Sequence, residues 1–160
     1  MWGVPSRTKV TSQGGGRVVN RTTRELVAKH PGAILWFSGE QSAILETARA
    51  VEECLNQEGA RTYLLEPANI RHGICADIDE GNSASHATRV AEVAKLFLDA
   101  GVIVLVAIET PTRVSRQCAR SQVMYGDFIQ IFCTVPANSA IEPSIAPELT
   151  VNILNTSIDD

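Results

Sequence analysis

The chain of 160 residues lacks most of the features that announce a chemistry on sight. There is no C-x-x-C pair. Its four cysteines, Cys54, Cys75, Cys118 and Cys133, stand far apart, and His30, His72 and His86 do not supply metal-ligand spacing. That pattern excludes a zinc ribbon and reads as four reduced thiols in a cytoplasmic protein; no metal site is expected. No apolar run reaches the roughly 18 to 20 residues that a membrane span needs, so no membrane association is expected. The polar, basic N-terminus has no apolar h-region and so no secretory signal. Aromatic residues make up only 5% of the chain, and none interleaves the basic residues near the N-terminus as a nucleic-acid-binding arm would require. Lysine and arginine are absent after Arg120.

What is present suits one globular domain. Apolar residues make up 44% and charged residues 20%, enough for a core of ordinary size at this length. The net charge of −4 is unevenly spread. Residues 1–30 carry Arg7, Lys9, Arg17, Arg21, Arg24 and Lys29 against Glu25 alone, so the remainder is strongly acidic. Residues 1–30 therefore read as a basic arm that docks on the acidic body (31–160) or on a partner subunit, and "SQGGGR" (12–17) argues against a packed element within it.

From Pro31 onward strands and helices alternate. "AILWF" (33–37) is a continuous apolar run, and "AILETARAVEECLNQEG" (43–59) has apolar residues at helical spacing with Gly59 as a stop. "TYLLE" (62–66) reads as a strand, 77–85 as a polar loop, and "HATRVAEVAKLFLDAG" (86–101) as a helix. "VIVLVAI" (102–108) is β-branched, uncharged and continuous, which suits the centre of a sheet covered on both faces. A helix over 112–124 and strands over 128–133 and 149–154 complete the pattern. The alternation predicts an α/β fold, a mostly parallel sheet between two helical layers.

Several stretches resemble the adenylylsulfate kinase (APS kinase) family: "GAILWFSG" (32–39), "NIRHGI" (69–74), "RVAEVAKLFLDAGVIVLVA" (89–107), "TPTRVSRQCAR" (110–120) and "DFIQIF" (127–132). Trp2 and "KVT" (9–11) are similar to that family's entry segment, and "IEPSIAPELTVNIL" (141–154) is weakly similar to its end. The resemblance implies a P-loop kinase fold and the transfer of phosphate from ATP, with Mg²⁺, to the 3′-hydroxyl of adenosine 5′-phosphosulfate (APS).

The residues that do this work in a P-loop are missing. The pattern G-x-x-x-x-G-K-[ST] uses glycines to let backbone amides wrap the phosphates, a lysine to reach them and a hydroxyl to hold Mg²⁺. Started at Gly39, it places Ile44 at the second glycine, Leu45 at the lysine and Glu46 at the hydroxyl. Ile44 is β-branched, Leu45 carries no charge, and Glu46 would repel a polyphosphate. Thr47 keeps a hydroxyl, one helical position on and roughly 100° away. This stretch reads as a turn entering an ordinary amphipathic helix. Where the family has Asp-Gly-Asp, "EPA" (66–68) offers no acid at Ala68. In the next loop, Glu80 falls near the family's adenine-stacking aromatic, Asn82 and Ser83 at an Asp-Arg pair, and His86 at an Asn. The basic lid after the strand at 128–133 is deleted.

Asn69, Arg71 and Arg113 survive as the substrate-side positions, with the two guanidinium groups suited to a phosphosulfate. The expected protein is thus an APS-kinase-like domain with no catalytic residue in place, impaired or inactive. APS or another anionic nucleotide, a second copy or a sulfate-activation partner would engage it in a regulatory or assembly role. The alternative is an active adenylylsulfate kinase that uses ATP and Mg²⁺ through Glu46 and Glu109.

Overall fold

The computed structural model describes residues 19–153 apart from 80, 125 and 138. Glu80, the entry segment with Trp2, the basic residues Arg7, Lys9 and Arg17, and the last residue of the final expected strand lie outside the described residues. Ten elements follow in the order α1 (Arg21–Ala28), β1 (Ala33–Ser38), α2 (Gln41–Gln57), β2 (Thr62–Leu65), α3 (Pro67–Ile70), α4 (Ser83–Asp99), β3 (Ile103–Val106), α5 (Arg113–Ser121), β4 (Phe128–Cys133) and β5 (Leu149–Val151).

The five strands are ordered β2-β3-β1-β4-β5 and every pairing is parallel. β3 lies inside the sheet, but the middle strand is β1, which corrects the expectation that 102–108 forms the centre. The composition of β1 explains it: Ile34, Trp36 and Phe37 are all fully buried, so both faces of this strand are covered. Each such side chain contributes about 1.5–3 kcal/mol on burial.

Alternation along the strands sorts the core into two layers. On one face Ile34, Trp36, Val104, Val106 and Phe128 pack against Val90, Ala91, Ala94 and Leu98 of α4 and Ala119 of α5. On the other, Phe37, Leu105, Ala107, Ile131 and Cys133 pack against Ile44 and Ala48 of α2. The small residues of α4 let that helix approach the sheet closely, and Trp36 stacks on Phe128 with ring centroids 5.5 Å apart.

Two elements depart from the sequence reading. α1 forms inside the stretch read as an arm without packed structure. It has no buried residue; a capping box between Asn20 and Thr23 starts it. Arg21 ties it to the body, donating to both oxygens of Asp127 at 2.8 and 2.9 Å and to Glu25 at 2.8 Å, while Arg24 pairs with Asp99. Gly101, at φ 74°, lies under Arg24: a Cβ there would come within 3.1 Å of the α1 backbone. α4 begins at Ser83, inside the stretch read as a loop, because the Asn82 side chain accepts from the Ser85 amide at 3.2 Å and caps it.

Candidate functional site

In an open parallel sheet, ligands bind beyond the C-terminal ends of the strands, and β1 at the middle of the sheet delivers its end to the turn before α2. Only Gly39 and Glu40 separate Ser38 from the first residue of the helix. Gly39 is required: at φ 149° it crosses so close to β4 that a Cβ would sit 2.8 Å from the Cys133 carbonyl. Glu40 is the N-cap, and its carbonyl accepts from the Ile44 amide at 2.9 Å, closing the first turn. The positions that would wrap phosphates, Gln41 to Ala43, are already helical. Their amides run along the helix axis instead of converging on a point.

The side chains that follow are absorbed by packing. Ile44 is fully buried, and Leu45 packs against the same core layer. Glu46 is exposed. The Thr47 hydroxyl donates back to the Ala43 carbonyl at 2.8 Å, a bond within its own helix. The Glu40 carboxylate accepts from the Ser139 hydroxyl, and the Gln41 amide reaches the Ala107 carbonyl at 3.1 Å.

Asn69 and Arg71 lie on one turn after β2. Asn69 serves that turn: its Oδ1 accepts from the Glu66 amide at 2.9 Å and its Nδ2 donates to the Leu64 carbonyl at 2.9 Å. Ala68 is exposed beside it. Burial, helped by the nearby charges of Arg71 and Arg89, pushes the His86 imidazole below its ordinary pKa. The Nε2 of His86 is buried with no hydrogen-bond partner among the described residues.

Arg113 stands elsewhere, at the start of α5. Its Nε donates to the Pro143 carbonyl at 2.9 Å and its amide to the Glu142 carboxylate at 2.6 Å. It lines a groove of about 320 Å³ together with Arg116, Gln117, Arg120, Gln130 and Ser144; neither Asn69 nor Arg71 does. Arg116, only 4% exposed, donates to the carbonyls of Thr110 at 2.6 Å and Glu142 at 2.5 Å. Burial lowers its pKa from the ordinary arginine value. Arg120 meets Glu148 through two bonds of 2.7 Å and lies over the Phe128 ring, 4.9 Å from its centroid. That guanidinium holds the Glu148 carboxyl down at about 2. The sequence reading missed Arg116 and Arg120. Their spacing from Arg113, three and seven positions on, marks one face of a helix and could have found them.

Fold and site together define a parallel α/β protein with the nucleotide-kinase arrangement of a strand, turn and helix at mid-sheet, but with that turn filled by a helix start. The family model described as adenylylsulphate kinase matches residues 31–144, and the chain belongs to the adenylylsulfate kinase family. Over 121 residues it is 40% identical to the adenylyl-sulfate kinase of Erwinia tasmaniensis, covering 74% of this chain and 60% of that protein. With an adenylyl-sulfate kinase of Escherichia coli O139:H28 it shares 41% identity over 116 residues, 71% of this chain and 58% of the other. The chain thus spans about 60% of the length of these curated relatives. The Mycobacterium tuberculosis APS kinase CysC, solved in complex with AMPPNP and APS, superposes with a TM-score of 0.70 at 26% identity, covering 81% of this chain and 92% of that one.

Proposed function

We propose that this chain is an adenylylsulfate-kinase-like domain that does not transfer phosphate, and that it acts in sulfate activation by binding an anionic nucleotide or by assembly. The observation that carries this reading is the burial of Ile44 in the first turn of α2. A triphosphate needs an open ring of backbone amides and a cation; here the amide of Ile44 is spent on Glu40 and the neighbouring side chain is Leu45. The turn does not fit ATP with Mg²⁺. Ala68 adds no acid, and the residues between β4 and β5 contain no lysine or arginine with which to neutralise a nucleotide. On the substrate side Asn69, Arg71 and Arg113 are the candidate contacts for APS, Asn69 by fixing the turn that presents Arg71. Four free thiols, two of them buried, support a cytoplasmic setting. Among the described residues no helix is long and apolar enough to cross a membrane.

A second reading, an active kinase that converts ATP and APS to ADP and the 3′-phosphorylated product, is favoured by the 40% identity to curated adenylyl-sulfate kinases. One experiment separates the two: purified protein with ATP, Mg²⁺ and APS, followed by ADP release. No release above the acceptor-free blank is expected. Mg²⁺-dependent release that disappears in Glu46→Ala would establish the second reading.

A further inference from the structure

We infer that Ser139–Glu142 is an internal occupant of the crevice at the carboxyl edge of the sheet, a strap that has to lift before a ligand can enter. β1 and β3 are neighbours, and the chain leaves them towards opposite faces. After β1 it enters α2, which packs on one face through Ile44 and Ala48; after β3 it enters α5, which packs on the other through Ala119. The two turns therefore diverge, and the gap between them is where open α/β sheets receive ligands. Here both lips of the gap hold the chain itself. On the β1 side Ser139 Oγ donates to the Glu40 carboxylate. On the β3 side the Glu142 amide donates to the Pro111 carbonyl at 2.8 Å, and the Glu142 carboxylate accepts from the Arg113 amide at 2.6 Å. Ile141, between these anchors, is 4% exposed, and its amide donates to Ser139 Oγ at 3.1 Å.

The same segment takes up groups that an incoming ligand would use. Arg113 gives its amide to Glu142 and its Nε to the Pro143 carbonyl. Arg116 donates to the Glu142 carbonyl, and the charge of the Glu142 carboxylate works against the effect of burial on that guanidinium. An acid at the first amide of a helix is favourably placed, so Glu142 stands where an anion from outside would stand. The hold is nevertheless local. A parallel connection such as β4 to β5 ordinarily carries a helix, but no helix forms between Cys133 and Leu149 among the described residues. Of the described residues from Thr134 to Thr150, only Ile141 is buried. A segment held by one apolar anchor and a few polar bonds at the surface opens without the rest of the fold. The gating of a ligand rests on the nucleotide binding proposed above; the closure and its opening do not.

The test is amide hydrogen exchange on the full chain, read residue by residue with increasing urea. The amides of Arg113, Ile141 and Glu142, whose acceptors lie in the strap or across the gap from it, should exchange through one shared opening. That opening should be faster than exchange at Trp36 and indifferent to low urea, whereas Trp36 should follow global unfolding. Ile141→Ala should speed the three amides about thirtyfold, or to the unprotected rate if that is reached first, the low end for truncating a buried isoleucine. Ser139→Ala, a milder change at a half-buried position, should speed them about fivefold. The strap is overturned if the three amides exchange only together with Trp36, or if neither substitution moves the Arg113 amide. Calorimetric titration with APS supplies a second readout. The dissociation constant should fall in Ile141→Ala by the factor by which exchange rises, because binding is weakened by the closed fraction. Equal affinity in both proteins, despite faster exchange, would overturn the strap as a closure. Binding to neither protein, with exchange as expected, would refute nucleotide binding under the proposed function and leave the strap standing.

Discussion

Ile44→Ala is the substitution that probes the turn most sharply. Ile44 is fully buried between Phe37, Ala48, Leu105, Ala107, Ile131 and Cys133, and its methyl group lies against Gly39. Truncating a buried isoleucine to alanine costs about 2–5 kcal/mol, part lost transfer energy and part cavity. The site cannot collapse easily, because Gly39 is pinned on β4 and Ala48 has little side chain to move, so about 3 kcal/mol is a reasonable centre. For a chain of this size each kcal/mol shifts the melting temperature by about 2–4 °C, which gives a drop of about 6–12 °C. Calorimetry or urea unfolding at neutral pH measures it, with Glu46→Ala, an exposed neighbour, expected to stay within about 0.5 kcal/mol of wild type. An open phosphate cradle would behave in the opposite way, since a side chain facing a ligand can be trimmed at little cost. If Ile44→Ala moves the midpoint by less than about 1 °C, the packed helix start is wrong and with it the reason for denying ATP a site.

Acid should loosen the β4–β5 edge through Glu148. Its folded pKa of about 2 lies below the ordinary 4.5, so its contribution is present above the unfolded value and lost as pH falls from 4.5 towards 2. The stability difference between wild type and Glu148→Gln should therefore shrink across that window, and a difference constant with pH would refute the Arg120–Glu148 pair as its source. Arg21→Ala should cost roughly 2–3 kcal/mol, because it leaves Asp127 and Glu25 without their shared cation, and should speed amide exchange throughout α1. Unchanged exchange in α1 would mean that the helix is held by something else.

The strands were legible because burial on two faces writes itself as continuous apolar runs: "AILWF" and "VIVLVAI" could be little else. The order of strands was harder. β1 and β3 look alike in sequence, and only register decides that β1 has a neighbour on each side bearing Ile103–Val106 and Phe128–Phe132. α1 escaped notice because it is held by Arg21 and Asp127, 106 positions apart, and carries no apolar stripe; its one local signal was Asn20 with Thr23.

At the site, the loss of the lysine and glycine was legible, and so was a turn that enters an ordinary helix; that helix starts at Gln41, two positions before Ala43, and takes Ile44 into the core. Asn69 read as a substrate contact, whereas its two side-chain bonds both go to the turn that carries it. Arg113 was legible as a cation at a strand-to-helix turn. Its neighbours across the groove were not, since Gln130 and Ser144 reach it from segments far along the chain, which no local pattern reports.

Phosphoryl transfer itself is the measurement that reaches the central claim most directly. Protein at high concentration would be incubated with ATP, Mg²⁺ and APS, and the 3′-phosphorylated product and ADP both quantified over hours against an acceptor-free blank. No product above the blank is expected, and no gain when Leu45→Lys restores a lysine, because that side chain would rise from a closed helical turn and not from an amide cradle. Product that accumulates with protein concentration and requires Mg²⁺ would contradict an inactive domain.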